Sequence, residues 1–117
     1  MREKPRDNGR LQHIVQAIDN VSRFIDGKTI DDFTEDSVLF FAVVKNIEII
    51  GEAVYMLSPE FKEAHPATPW RQITGMRHVL VHGYYLVSSK EVWGVAKNRL
   101  QPLRTQIIEY LNEENNS

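Results

Sequence analysis

An arginine, two histidines and a tyrosine occur within eight residues near the middle of the chain, in the run Arg77-His78-Val79-Leu80-Val81-His82-Gly83-Tyr84. Eight residues cover about two turns of a helix, so these side chains can share one small region. A guanidinium group binds phosphate bidentately and keeps its charge, and an imidazole exchanges a proton near neutral pH. A fixed positive charge and a general base are sufficient to cleave a phosphodiester without a metal. The run therefore predicts a site that acts on phosphodiesters.

The spacing of Arg77 and His82 limits how these two residues can cooperate. Five residues correspond to about 140° around an ideal helix, so the two side chains do not share a face. Three arrangements would bring them to one substrate: the arginine stem reaches around the helix, the helix end at Gly83 re-aims His82, or a second subunit completes the site. We favour a two-fold dimer that packs this helix against its mate. Tyr84 would lie on nearly the same face as Arg77 if the helix continued.

His78 and His82 also form a second pattern, because residues i and i+4 lie on one helix face, as metal ligands require. No glutamate follows His78, so the H-E-x-x-H pattern of zinc proteases is absent. No third ligand is evident, although His13, His65 or a carboxylate could approach in space. Each residue also has an ordinary structural interpretation, as a histidine stabilised by the helix dipole, a surface arginine or a packed tyrosine. We expect neither a metal nor another cofactor.

The composition is typical of a single globular domain, with 117 residues of which 42% are hydrophobic. The chain has no cysteine, which excludes disulfides, thiolate metal sites and cysteine nucleophiles. The charged residues 1–7 are followed by no apolar segment of a signal peptide, and no run approaches the roughly 20 apolar residues of a membrane span. These features predict a cytoplasmic protein without membrane association. They predict one domain over residues 1–117, with frayed ends at residues 1–8 and 112–117.

The net charge of −2 conceals an uneven distribution of charged residues. Residues 11–64 contain four basic and ten acidic side chains, whereas residues 70–106 contain six basic side chains and one acid, Glu91. The run from Arg77 to Tyr84 therefore lies in the only long basic segment, where an anionic substrate would be attracted. The alternative is that these charges form only solvated helix faces.

Hydrophobic periodicity predicts an antiparallel bundle of four main helices and one short helix, with no strand. The first helix covers residues 11–25, and Gly27 is placed to end it. The second helix continues to residue 57 and is apolar over much of its circumference, so we expect it to be the most buried element. Its candidate N-cap is Asp32 or Thr34. The fourth helix covers residues 70–82, with Gly83 at the C′ position.

Two serines and a proline predict further helix boundaries. Ser58-Pro59 predicts the start of the short third helix, because serine caps a helix and proline suits its first turn. Ser88 and Glu91, three residues apart, predict a capping box at the start of the last helix. Pro102 inside that helix predicts a kink or a local adjustment.

The run from Arg77 to Tyr84 resembles the R-x4-H-x-Y motif of the HepT-like branch of the HEPN superfamily, which comprises small helical ribonuclease toxins. Further segments match the family in order and spacing: Ile49-Ile50-Gly51-Glu52-Ala53, Pro69-Trp70, Gly75-Met76-Arg77, His82-Gly83-Tyr84 and Val92-Trp93. His78 is a departure, since asparagine commonly follows the motif arginine in this family. R-x4-H alone arises often by chance, whereas its combination with H-x-Y and the flanking segments is specific.

The resemblance implies an all-α, HEPN-like homodimer that cleaves RNA without a metal or a cofactor. It implies that Arg77 and His82 are the catalytic pair and that His78 and Tyr84 support the reaction or contact the substrate. A minimal nucleotidyltransferase antitoxin is the implied partner, and in some pairs it adds AMP to the motif tyrosine, here Tyr84. For Glu52 we prefer a structural interpretation, in which it pairs with a basic residue on the motif helix.

The chemistry expected of these residues is transesterification within RNA. His82 would take the 2′-OH proton, and Arg77 would stabilise the charge that grows on the phosphoryl oxygens. His78, or His82 of a second subunit, would protonate the leaving 5′ oxygen. Two other functions remain open: a non-catalytic helical dimer that binds a nucleotidyltransferase or a nucleotide, and a purely structural helical dimer.

Overall fold

A computed structural model describes the backbone of residues 3–83 and 87–116 and the side chains of residues 6–83 and 87–113. These ranges contain no strand and form seven helices: α1 (Glu3–Ile25), α2 (Ile30–Glu35), α3 (Ser37–Met56), α4 (Pro59–Ala64), α5 (Trp70–Gly83), α6 (Ser89–Asn98) and α7 (Leu100–Asn116). The predicted all-α class is confirmed. No helix in these ranges has the length and apolar character that crossing a membrane requires.

The central helix is α3, which packs against both α1 and α5. The α7 helix lies along α1, and α6 joins the bundle through α2 and α7. Buried apolar side chains from α1, α3 and α7 form most of the core, among them Leu11, Ile14, Val43, Val54 and Ile107. The order of packing therefore places α5, which carries the motif, directly on α3.

The start of α3 differs from the prediction because a short helix, α2, precedes it. Thr29 caps α2: its hydroxyl accepts a hydrogen bond from Asp32 N at 3.1 Å, and Asp32 Oδ2 accepts one from Thr29 N at 2.9 Å. The N-cap of α3 is Asp36, whose carboxylate accepts from Leu39 N at 3.0 Å. The prediction that Asp32 or Thr34 caps the second main helix is therefore wrong.

The predicted last helix is divided into α6 and α7, which meet at Arg99. Pro102 lies in the first turn of α7, where its missing N–H costs no helical hydrogen bond. The break is the local adjustment that this proline predicts. Ser88 and Glu91 form the predicted capping box, with Glu91 N donating to Ser88 Oγ at 3.1 Å.

Two glycines near helix ends behave differently. Gly27 follows α1 with a φ of 73°, the left-handed conformation that glycine adopts without strain, which confirms its predicted role. Gly83 is the last residue of α5 rather than the residue beyond its end, so its predicted C′ position is wrong.

Of the segments expected to be frayed, residues 3–8 belong to α1 and residues 112–116 belong to α7. Asp7 is 4% exposed. Its carboxylate accepts hydrogen bonds from Ser58 N at 2.8 Å and from Ser58 Oγ at 2.7 Å. Ser58 Oγ in turn accepts from Phe61 N at 3.1 Å, which is the predicted serine cap of α4. The beginning of α1 is therefore attached to the beginning of α4.

The α3 helix has two different apolar faces. One face supplies eight buried residues: Val43, Val44, Asn46, Ile47, Ile50, Gly51, Ala53 and Val54. The other exposes Val38, Phe41, Ile49, Tyr55 and Met56. The predicted apolar character of α3 around much of its circumference is confirmed, but only its inner face is buried.

Candidate active site

Arg77 lies in the middle of α5 and is held by two side chains of α3. Its Nη2 atom lies 2.9 Å from Glu52 Oε2, and its guanidinium carbon lies 5.9 Å from the centroid of the Tyr55 ring. The predicted pairing of Glu52 with a basic residue on the motif helix is confirmed. The two side chains are 30% and 50% exposed, so the ion pair contributes only about 0–1 kcal/mol to stability. Its main effect is to orient the guanidinium.

Gly51 determines how closely α5 approaches α3. A Cβ atom at this buried position would overlap Arg77 Cβ and would lie 3.0 Å from Arg77 Cγ. Because Arg77 Cβ is bonded to the backbone of α5, it cannot move without the helix. Any larger residue at position 51 would therefore displace α5, and Arg77 with it. Gly51 therefore permits the close packing of α3 and α5.

His78 and His82 lie one turn apart on α5, with ring centroids 4.7 Å apart and ring planes inclined at 54°. Both side chains are exposed. Within the described ranges neither ring makes a hydrogen bond to the protein. Both imidazoles are therefore accessible to a molecule that approaches from solvent.

In one copy of the chain, Arg77 is bound by a side chain of α3, and His82 lies in the last turn of α5. The α5 helix includes Gly83, so the helix end does not re-aim His82. The arginine stem does not reach around the helix either, because the guanidinium is bound by Glu52 on α3. Of the three arrangements considered, the one with a second subunit stays a prediction.

The remaining predicted site residues are only partly placed. Tyr84, predicted to support catalysis and to accept AMP, lies outside the described residues. His65 lies against Phe61, with Nδ1 2.8 Å from its carbonyl oxygen, and Nε2 lies 3.1 Å from Glu113 Oε1. His13 is an exposed residue of α1. In the described ranges, no three His, Asp or Glu side chains are grouped as a metal would require.

The side of α5 that faces α6 and α7 borders an open space. A cavity of about 370 Å³ lies there, lined mostly by apolar side chains that include Ile47, Met76 and Leu103. The α5 helix therefore depends chiefly on α3 for its position.

Tyr55, which contacts Arg77, belongs to no sequence motif. Its position three residues after Glu52 is the only sequence signal that it lies on the face of α3 that meets Arg77.

The described residues form a helical bundle that carries an arginine and two histidines on one helix, as the HepT-like resemblance implies. The family described as Ribonuclease HepT-like matches residues 14–110. The chain belongs to this HepT-like ribonuclease family, which confirms both the resemblance and the predicted enzyme class.

Individual relatives agree with this assignment. The chain is 38% identical over 104 residues to "Putative RNase TTE0752" of Caldanaerobacter subterraneus, covering 89% of the chain and 93% of that protein. It is 35% identical over 94 residues to "Probable ribonuclease HepT" of Thermococcus cleftensis, covering 80% and 86%. It is also 35% identical to "Gamma-glutamylcyclotransferase and putative RNase MJ0434" of Methanocaldococcus jannaschii, of which it spans 46%. No solved structure matches the chain.

Proposed function

We propose that this protein is a metal-independent RNA endonuclease and the toxin of a HepT/MNT-type toxin–antitoxin pair. The observation that carries the proposal is an oriented guanidinium, that of Arg77, on the same helix as the exposed imidazoles of His78 and His82. Such a set supplies a fixed positive charge and two proton carriers within two helical turns. Membership of the HepT-like family supports RNA as the substrate.

In the proposed reaction, His82 takes the proton of a ribose 2′-OH, and the 2′ oxygen attacks the adjacent phosphorus. A 2′,3′-cyclic phosphate forms as the bond from phosphorus to the 5′ oxygen breaks. His78, or His82 of a second copy, gives a proton to that 5′ oxygen. Arg77 stabilises the negative charge on the phosphoryl oxygens. DNA has no 2′-OH and is not cleaved by this route.

The proposed active species is a homodimer. The side chains of Arg77 and His82 leave α5 about 140° apart, so one copy presents them in different directions. A second copy related by a two-fold axis supplies the complementary residue to a shared RNA-binding groove.

The proposed partner is a minimal nucleotidyltransferase antitoxin that adds AMP to Tyr84. An anionic adduct two residues from His82 would obstruct the groove and repel RNA phosphates. This proposal rests on the family resemblance of the H-x-Y segment.

Cleavage by purified variants tests the mechanism. We expect Arg77→Ala and His82→Ala each to lose at least about 100-fold in cleavage rate while the helical circular dichroism is unchanged. Arg71→Ala, an exposed arginine of α5, and His13→Ala are matched controls that should cleave normally. An unchanged cleavage rate in Arg77→Ala or His82→Ala would contradict the proposed mechanism.

Two further comparisons test the substrate and the metal. Cleavage should persist in EDTA, and a 2′-deoxy nucleotide 5′ to the scissile phosphate should prevent it; the opposite result in either case contradicts the proposed chemistry. In cells, induction of the wild type should arrest growth and produce new RNA fragments, whereas His82→Ala should do neither. The alternative is a non-catalytic binding dimer. It would be favoured if the wild type cleaves no RNA and if the wild type and His82→Ala bind a nucleotide or the nucleotidyltransferase equally well.

A further inference from the structure

The exposed apolar side chains of this protein are concentrated on two neighbouring helices. In the described ranges, every large apolar side chain that is exposed belongs to α3 or α5: Val38, Phe41, Ile49, Tyr55, Met56, Val79 and Val81. Single exposed apolar residues are ordinary on a protein surface, whereas a continuous group marks an interaction surface. These side chains lie on the same two helices that position Arg77.

Six exposed residues of α3 form one continuous line, which we call the α3 stripe: Val38, Phe41, Lys45, Ile49, Glu52 and Met56. At about 100° per residue, these positions lie within an arc of roughly 80° and extend over about five turns. The apolar members are 78%, 53%, 38% and 46% exposed in chain order. A stripe of this width is that of a helix that packs against another helix.

Two pairs of residues in the α3 stripe lie symmetrically about the point between Glu48 and Ile49. Lys45 and Glu52 lie at equal distances on either side of this point, and so do Phe41 and Met56. When two identical helices pack antiparallel about a two-fold axis, each residue faces the one equally far from the axis in the other copy. Lys45 of each copy then faces Glu52 of the other, and Phe41 faces Met56 farther from the axis, so each of these two pairs is complementary across the two-fold axis.

We propose that the α3 stripe is the homodimer interface, with two α3 helices packed antiparallel about an axis between Glu48 and Ile49. Lys45 of the second copy then reaches the carboxylate of Glu52. This assigns the centre of the interface to α3, with the motif helix α5 beside it.

The proposed interface also affects the candidate active site, and this consequence rests on the proposed function. Glu52 binds Arg77 at 2.9 Å in one copy of the chain. When Lys45 of the second copy shares that carboxylate, Glu52 neutralises Arg77 less completely. The guanidinium then attracts an RNA phosphate more strongly. Dimer formation therefore strengthens the attraction between Arg77 and the phosphate of its substrate.

Introduced cysteines test the register, because the natural chain contains none. Ile49→Cys lies beside the proposed axis, and a disulfide needs Cα atoms within about 7 Å, so mild oxidation should yield a covalent dimer. Val38→Cys should remain uncrosslinked, because its two copies would lie about 31 Å apart along the helices. A crosslink through Val38→Cys, or a dimer in sedimentation that Ile49→Cys fails to crosslink, would overturn the register. A chain that stays monomeric at all concentrations would overturn the interface.

Charge reversal tests the pairing independently of RNA cleavage. Lys45→Glu places two carboxylates opposite each other and should raise the dimer dissociation constant at least tenfold. The double variant Lys45→Glu with Glu52→Lys restores opposite charges and should recover most of the affinity. Lys28→Glu, an exposed lysine between α1 and α2, is the matched control and should dimerise normally. If Lys45→Glu dimerises as tightly as this control, the pairing is wrong.

The effect on Arg77 is tested with Lys45→Met, which keeps the apolar stem and removes the charge. At concentrations where sedimentation shows the dimer, kcat/KM for RNA should fall three- to tenfold, while Lys28→Met should leave it unchanged. An unchanged kcat/KM in Lys45→Met would overturn the shared Glu52. An inactive wild type would instead overturn the proposed function, and the crosslinking result would be unaffected.

Discussion

At the scale of single residues, Gly51 controls the position of Arg77 through the space that it leaves empty. We expect Gly51→Ala to destabilise the fold by about 1–3 kcal/mol, because the added methyl group overlaps Arg77 Cβ. RNA cleavage should fall at the same time, because α5 must move away from α3. Urea unfolding and the cleavage rate, measured on the same preparation, check the two effects.

Gly75 provides the matched control for this prediction. It lies on α5, and a Cβ atom there would have no neighbour within 4 Å. Gly75→Ala should therefore stabilise the protein by about 0.5–1 kcal/mol, the usual gain when alanine replaces glycine inside a helix. If Gly51→Ala behaved in the same way as Gly75→Ala, close packing of α3 and α5 would not be what fixes Arg77.

The residues of the candidate site were predictable from the sequence to different degrees. Spacing alone places His78 and His82 on one face, because the helical repeat determines it. The same repeat shows that Arg77 and His82 point in different directions. The sequence predicts that Glu52 pairs with a basic residue on the motif helix. It predicts neither that this residue is Arg77 nor that Tyr55 lies beside it, because contacts between α3 and α5 depend on how two helices pack and not on local sequence.

At the scale of helices, the capping of α2 predicts a pH dependence. The backbone N–H and the hydroxyl of Thr29 lower the pKa of Asp32 below its ordinary 3.8. Because the pKa is lowered in the folded state, the carboxylate stabilises the fold above the ordinary value, and this stability is lost as the pH falls through the folded pKa.

The Asp32→Asn variant tests this pH dependence. It should unfold at lower urea concentration than the wild type at neutral pH, and the difference should shrink as the pH falls below 3.8. Asp31→Asn removes the same charge from α2 without the capping hydrogen bond and should have a smaller effect. A difference between Asp32→Asn and wild type that stayed constant with pH would exclude a role for the ionised carboxylate.

The helix boundaries show where local sequence rules succeed and where they compete. Gly27, Ser58 and Ser88 were predicted correctly, since each has one strong conformational or capping preference. Thr29 and Asp36 were missed because several capping residues follow one another between residues 29 and 36, and the sequence does not rank them. The exposure of one apolar face of α3 was also unpredictable, since composition does not distinguish a core face from an interface.

At the scale of the whole molecule, Asp7 joins the two ends of a long stretch of chain. It is buried and accepts two hydrogen bonds from Ser58, 51 residues away. Asp7→Ala leaves these donors without a partner, so we expect a loss of about 1–3 kcal/mol in the free energy of unfolding. Asp26→Ala, an exposed acid after α1, is the control. Equal unfolding midpoints for the two variants would contradict the role assigned to Asp7.

The family membership of the whole chain leads to a prediction about its regulation. If the antitoxin acts by modification, co-expression with the nucleotidyltransferase should add the mass of AMP to the peptide that contains Tyr84. Tyr84→Phe cannot accept AMP, because it lacks the hydroxyl, and should show the same ribonuclease activity and toxicity with the partner as without it. Mass spectrometry and growth assays check these results. A Tyr84→Phe protein that is still neutralised as well as the wild type would mean that the partner acts by binding. The exposed apolar side chains of α3 and α5 would then be the first surface to test for that contact.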